Sequence, residues 1–300
     1  MNSINKNNID DSQIHELSTE LGDGFMTFGD HLEVLRRMLL RIFVAIIINS
    51  IIVFTFKEQI TNILFAPTNS DFILYQWIND LLNICNISSA KLNEFNIQLI
   101  NTELSSQFMT HLQISFYFGS LISSPYIVYQ LFGFIKPALF EREKKYFVLI
   151  LFAIYILFGV GLIMNYFIIF PISLRFLGTY QLNEAVANTV SLNSYTSSFL
   201  LLSLAMGLVF EIPAISFILG KMGIIDANTL KHYRKYAFVI ILIVSALITP
   251  PDVFSLLLMT IPLYVLYEFS IFILAYTVHN ASSSGEDEEQ ENDVEKYTTN

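Results

Sequence analysis

Charge is what this sequence has least of. Only 14% of its 300 residues are Asp, Glu, Lys or Arg, where a soluble domain carries about 25%. The deficit falls in blocks, and the blocks are long apolar runs. Such runs of 18 or more residues read as transmembrane helices. Cysteine is nearly absent too. Cys85 stands alone, which excludes an intrachain disulfide and any cysteine metal cluster. The five histidines (15, 31, 111, 232 and 279) never pair at i, i+4. No P-loop, dinucleotide fingerprint, metal-ligand spacing or G-x-S-x-G is present. ATP-driven chemistry, metal catalysis, cofactor binding and serine hydrolysis therefore have no visible machinery. Residues 1–25 are polar and lack the basic and apolar regions of a signal peptide.

The formal net charge is −10, but one segment biases it. Gly285–Lys296 holds seven acids and one lysine. A run of this kind is expected to be disordered and solvated. The remainder is closer to neutral, and nothing points to nucleic acid. The expected organisation is a polar segment over 1–29, a membrane domain over 30–279 and an acidic tail over 280–300.

The apolar pattern predicts an all-α polytopic protein with six spans. They are placed at Met38–Phe56, within Gln107–Ile135, within Phe147–Phe170, within Ser197–Leu219, at Tyr236–Thr249 and at Val253–Ala275. The fifth and sixth are expected to be short. Lys235 and Asp252 bracket sixteen uncharged residues, about 24 Å of helix against roughly 30 Å of hydrocarbon. "TPPD" (Thr249–Asp252) accounts for the stop. Pro250 and Pro251 cannot continue a helix, and Asp252 is a good N-cap for the next one. A tight hairpin follows.

Lysine and arginine alternate across the loops. Lys6, Arg36 and Arg37 precede span one, Lys136 to Lys145 hold four basic residues, and Lys221 to Lys235 hold four more. The intervening loops are nearly free of them. The positive-inside rule then places both termini in the cytoplasm. The stretch from 57 to about 106 becomes an extracytoplasmic cap containing Pro67 and a short surface helix near Phe72–Leu82.

Polar residues inside apolar runs carry the functional signal. Glu211 lies ten residues before Lys221, about 15 Å from that end and so near the midplane. An acid there costs at least a few kcal/mol. Two readings stand: a carboxylate satisfied by neighbouring helices, or a functional group. Pro213 removes the bond that the Val209 carbonyl would accept, so a kink is expected. Glu268 is the second acid within an apolar span, with a residue reaching water as the plain reading. In "DHLEVLRRMLLR" (Asp30–Arg41), Glu33 can pair with Arg36 or Arg37. "KPALFEREKKY" (Lys136–Tyr146) places Glu141 and Glu143 among four basic residues.

Taken in order, "HLEVLR" (His31–Arg36), "FAP" (Phe65–Pro67), "SPYIVYQLFGFIKPALFEREKK" (Ser124–Lys145), "NYFIIFP" (Asn165–Pro171), "FEIP" (Phe210–Pro213), "TPPDVFS" (Thr249–Ser255) and "IPLYVLYE" (Ile261–Glu268) resemble TatC. That family supplies the receptor subunit of the twin-arginine protein translocase. The resemblance implies a concave six-helix bundle in the cytoplasmic membrane. It implies recognition of twin-arginine signal peptides on folded cargo, export driven by the proton gradient, single-span TatA-like and TatB-like partners, and self-association. It implies no enzymatic activity and no cofactor.

By the same resemblance, Glu33, Arg36, Phe134, Pro137 and Glu143 fall to signal-peptide binding. Glu211, Tyr166 and Glu268 become intramembrane polar positions for partner contact. Pro67, Pro125, Pro213, Pro250, Pro251 and Asp252 become structural. Two positions depart from the family pattern: Val34 stands where it usually carries Glu, and Leu256 where it usually carries Gln. The rival class is a proton-coupled secondary transporter with Glu211 and Glu268 as its relay. Inverted repeats would mark that class, and the sequence shows none.

Overall fold

The computed structural model describes residues 28–84, 97–135, 147–181, 183 and 188–298. Eleven α-helices are distinguished among them. α1 is Phe28–Thr55, α2 Lys57–Phe65, α3 Ile73–Ile84, α4 Ser106–Ile135, α5 Phe147–Met164 and α6 Phe170–Thr179. α7 is Leu192–Val209, α8 Ile212–Lys221, α9 Ala227–His232, α10 Arg234–Ile248 and α11 Val253–Thr298. Strands β1 (Leu99–Ile100) and β2 (Val190–Ser191) pair in parallel.

Among the described residues, four stretches are long and apolar enough to cross a membrane: Leu32–Thr55, Ile150–Thr179, Leu192–Lys221 and Val253–Tyr276. α4 has the length, at 30 residues, but its serines, tyrosines and glutamines dilute it. α10 is apolar but has only 15 residues, about 22 Å. The last stretch is not short: its 24 residues extend about 36 Å. The expectation of a short sixth span is not met, and Pro262 lies inside α11 without ending it. α11 also continues to Thr298 through the acidic segment, where composition alone points to disorder. Glu, Gln and Lys are good helix formers, and extending an existing helix avoids the cost of nucleation.

α1 and α4 run antiparallel in close contact. Asn49 Nδ2 donates to Ser123 Oγ at 2.9 Å, and Phe54 stacks on His111 with ring centroids 4.0 Å apart. Gly119 permits the approach, since a Cβ there would lie 2.6 Å from the Ser50 backbone nitrogen. Pro125 is accommodated within α4, which continues past it to Ile135.

α5 passes into a π-helical turn, Asn165–Ile169, and on into α6. The wider turn places the fully buried Asn165 where Nδ2 donates to Ser203 Oγ of α7 at 2.6 Å. Interhelical bonds of this kind contribute about 0.6–2 kcal/mol in a membrane. The core lies between this segment and α7, α10 and α11, around Ile169, Phe170, Phe199, Leu202, Met206, Met259 and Leu263.

The cap is held down by tyrosine hydroxyls. The last carbonyls of α2 take side-chain donors from elsewhere in the chain. Tyr166 Oη donates to the Ile63 carbonyl at 2.9 Å, and Tyr195 Oη to the Leu64 carbonyl at 2.6 Å. The single Tyr75 hydroxyl proton is shared between the carbonyls of Pro171 (2.9 Å) and Pro67 (3.2 Å). Pro67 itself sits buried in a 3-10 turn, Ala66–Thr68.

Candidate functional site: two polar positions in an apolar bundle

Glu33 lies in the first turns of α1, 45% exposed. Its carboxylate accepts from Arg37 Nε at 3.0 Å and lies 3.7 Å from Arg36 Nη1. The i+3 and i+4 pairing expected from sequence is present. Exposed pairs of this kind are worth about 0.2–1 kcal/mol, so Glu33 is held weakly. Val34 turns its apolar side chain outward and is also exposed. The buried face of α1 is carried by Met38, Ile42 and Val53, whereas Leu32 and Leu39 are exposed.

The antiparallel register of α1 and α4 sets what lies near Glu33. Glu33 is sixteen residues from Asn49, about 24 Å of helix, and Phe134 is eleven residues from Ser123, about 16 Å in the same direction. Half-buried Phe134 therefore stands at the same end of the bundle as Glu33. The chain leaves α4 there toward Pro137 and Glu143. Those two positions lie outside the described residues, as does Cys85.

Glu211 occupies a break between helices. α7 ends at Val209, α8 begins at Ile212, and Pro213 falls in its first turn. The helix is interrupted next to Pro213, the residue from which sequence reasoning expects a disruption. Glu211 is the N-cap residue of α8 but makes no side-chain capping bond. Among the described residues, its Oε2 is buried with no hydrogen-bond partner. An acidic oxygen left this way inside an apolar bundle has a large unmet hydrogen-bonding demand.

The other expected positions have partners of their own. Glu268 accepts from Arg234 Nη2 at 2.7 Å, a half-exposed pair joining α11 to α10. Tyr166 belongs to the cap contact and packs edge-on against Phe199. Phe199 is twelve residues from Glu211 along α7, about 18 Å. Asp252 caps α11, accepting from the Ser255 backbone N–H at 2.6 Å. Pro250 and Pro251 form the turn that precedes it. Sequence reasoning missed Asn165 and the tyrosine–carbonyl contacts. A single Asn in an apolar run was the available signal for the first; the second has none in one dimension.

A family model described as "Sec-independent protein translocase protein (TatC)" matches residues 30–262. The TatC protein of Blattabacterium is 37% identical, covering 84% of this chain and 96% of its own length. That of Aquifex aeolicus is 33% identical over 83% and 94%. That of Escherichia coli K12 is 32% identical over 74% and 86%. A crystal structure described as the twin arginine translocase receptor TatC superposes with a TM-score of 0.62 at 32% identity, covering 83% of this chain and 99% of its own. A second, described as the same receptor in DDM, gives 0.66 at 33% identity, covering 81% and 99%.

Proposed function

The chain belongs to the TatC family of Sec-independent protein translocase proteins, and from that premise we propose that it is the signal-peptide receptor and core membrane subunit of a twin-arginine translocase. The observation that carries the reading is the family match across 30–262 together with a weakly held carboxylate, Glu33, at the end of α1 where basic residues cluster. A guanidinium pair arriving from a signal peptide offers planar, bidentate donors. It competes with Arg36 and Arg37 for a carboxylate they hold by about 1 kcal/mol or less. Glu143, with Phe134 and Pro137 on the path to it, supplies the second acid. The apolar part of the signal then enters the groove between spans.

The protein spans the cytoplasmic membrane six times with both termini inside, a reading supported by the Lys/Arg alternation. α4 and the short α10 complete the count. Around α10 the bilayer thins or the neighbouring helices tilt. Glu211 serves as the polar mark at which a TatA-like or TatB-like single-span helix docks. Assembled copies then pass folded cargo, driven by the proton gradient. The carrier alternative is not favoured, because the matching family model and relatives are translocase proteins, and Glu268 is paired with Arg234.

The test is complementation. The chain and its cognate single-span partners replace the resident translocase of a host, and export of a folded reporter is followed. Export of an Arg-Arg reporter and retention of its Lys-Lys counterpart support the receptor. A chain that inserts normally yet exports neither contradicts it.

A further inference from the structure

Helix α3 has three faces. Leu74, Tyr75, Ile78 and Leu82 turn toward the protein, and Tyr75 is 1% exposed. Its hydroxyl proton, shared between the Pro67 and Pro171 carbonyls, fixes the rotation of α3 about its own axis. Ile73, Trp77, Leu81 and Ile84 form one stripe at helical spacing, and all are exposed, Trp77 to 64%. Gln76, Asp80 and Asn83, also exposed, make a polar strip on the stripe's other flank. A helix on a water-bathed surface needs a buried side and a polar side. One that presents protein, apolar and polar sides in rotation suits a boundary between hydrocarbon and water.

The depth agrees. Phe72, at the start of α3, meets Phe167 with ring centroids 5.9 Å apart and Tyr166 at 5.5 Å. Phe167 is seventeen residues into the apolar stretch that begins at Ile150. That is about 26 Å of helix, close to the roughly 30 Å thickness of the hydrocarbon layer. Exposed Ile163 and Phe167 carry the apolar outer surface of that span up to α3.

We propose that the Ile73–Trp77–Leu81–Ile84 stripe is seated in the headgroup–acyl boundary of the cap-side leaflet, and that its occupant is lipid. Tryptophan suits that depth, with an apolar ring and one N–H donor. α3 carries no lysine or arginine, so the contact rests on apolar burial and is indifferent to anionic headgroups. The bilayer thus becomes a third support of the cap, beside the tyrosine hydroxyls and the strand pair. The inference rests on the chain spanning a membrane and not on the receptor reading.

Trp77 is the only tryptophan, so its emission reports on the stripe alone. The full chain is reconstituted in phosphatidylcholine vesicles whose acyl chains carry bromine near the carbonyl end or near the methyl end. Trp77 emission is expected to be quenched by both, more by the shallow bromine, and less by aqueous iodide than free tryptophanamide is. Leu81→Asp is expected to cut lipid quenching by roughly half, because a carboxylate is costly at that depth. Iodide quenching equal to tryptophanamide, with none from lipid, places the stripe in water and overturns the proposal. Absence of both places a protein over it and also overturns it. If Leu81→Asp fails to fold, the wild-type quenching profile alone decides.

Discussion

Tyr195 and Leu64 stand 131 positions apart in the chain, yet the tyrosine hydroxyl donates to the leucine carbonyl at 2.6 Å, with both residues buried. The bond ties α7 to the C-terminal end of α2. Tyr195→Phe keeps the ring packed against Phe170 and leaves that carbonyl unpaired. A loss of about 1–3 kcal/mol is expected. Thermal unfolding in detergent and protease cleavage near residue 64 measure it, and an unchanged profile removes this bond from the account of the cap.

The contact of α1 with α4 depends on Gly119. Gly119→Val forces a branched side chain against the Ser50 backbone. Overpacking of this kind costs about 1–3 kcal/mol. Disulfide formation between cysteines introduced at 49 and 123, in wild type and in the Val variant, measures the separation. Equal yields contradict the close approach.

Arg234 and Glu268 are 45% and 34% exposed, so their pair is discounted for solvent. A double-mutant cycle of Arg234→Ala and Glu268→Ala is expected to give a coupling below about 1 kcal/mol. The charge-swapped pair Arg234→Glu with Glu268→Arg is expected to restore export wherever the single changes reduce it. If the swap stays inactive while Arg234→Ala is fully active, Glu268 acts through something other than this ion pair.

Asp226 caps α9, accepting from the Thr229 N–H at 2.8 Å. Hydrogen bonding to the Thr229 side chain first, and to its backbone second, holds the carboxyl below the ordinary aspartate range. A depressed folded value means the contribution is complete above the unfolded pKa of about 3.9 and fades as pH falls through the folded value. The stability gap between wild type and Asp226→Ala is therefore constant near neutrality and shrinks in strong acid. A gap that widens in acid reverses the sign and contradicts the cap.

Much of this arrangement was legible in one dimension, because lipid makes strong demands on sequence. Runs such as Ile150–Thr179 must be apolar, and TPPD must end one helix and start another. Glu33 had arginines at both spacings that meet on a helix. The break was announced by Pro213. The π-helical turn at Asn165 was not, since one residue of extra winding leaves the apolar pattern nearly unchanged. Nor were the contacts of Tyr166 and Tyr195, whose carbonyl partners are set by tertiary packing. The last span keeps its length although Pro262 lies inside α11. Inside a bundle its lost hydrogen bond is tolerated.

Glu211 is expected to matter for assembly more than for stability. Glu211→Ala removes a buried carboxylate oxygen that has no hydrogen-bond partner among the described residues. Thermal stability in detergent is expected to hold or rise, while crosslinking to single-span partners from a probe at the exposed position 208 and export both fall several-fold, the scale of a coupling of 1–3 kcal/mol. Unchanged crosslinking and export contradict a partner-contact role.

The most direct measurement is photocrosslinking to a signal peptide from probes placed beside Glu33 and Glu143, at 32 and 140, with an Arg-Arg peptide against its Lys-Lys counterpart. The account predicts crosslinks at both positions with Arg-Arg that fade with Lys-Lys, their ratio showing how the load is shared now that Val34 is apolar. Absence of crosslinks at either position, in a chain that inserts normally, contradicts the receptor role.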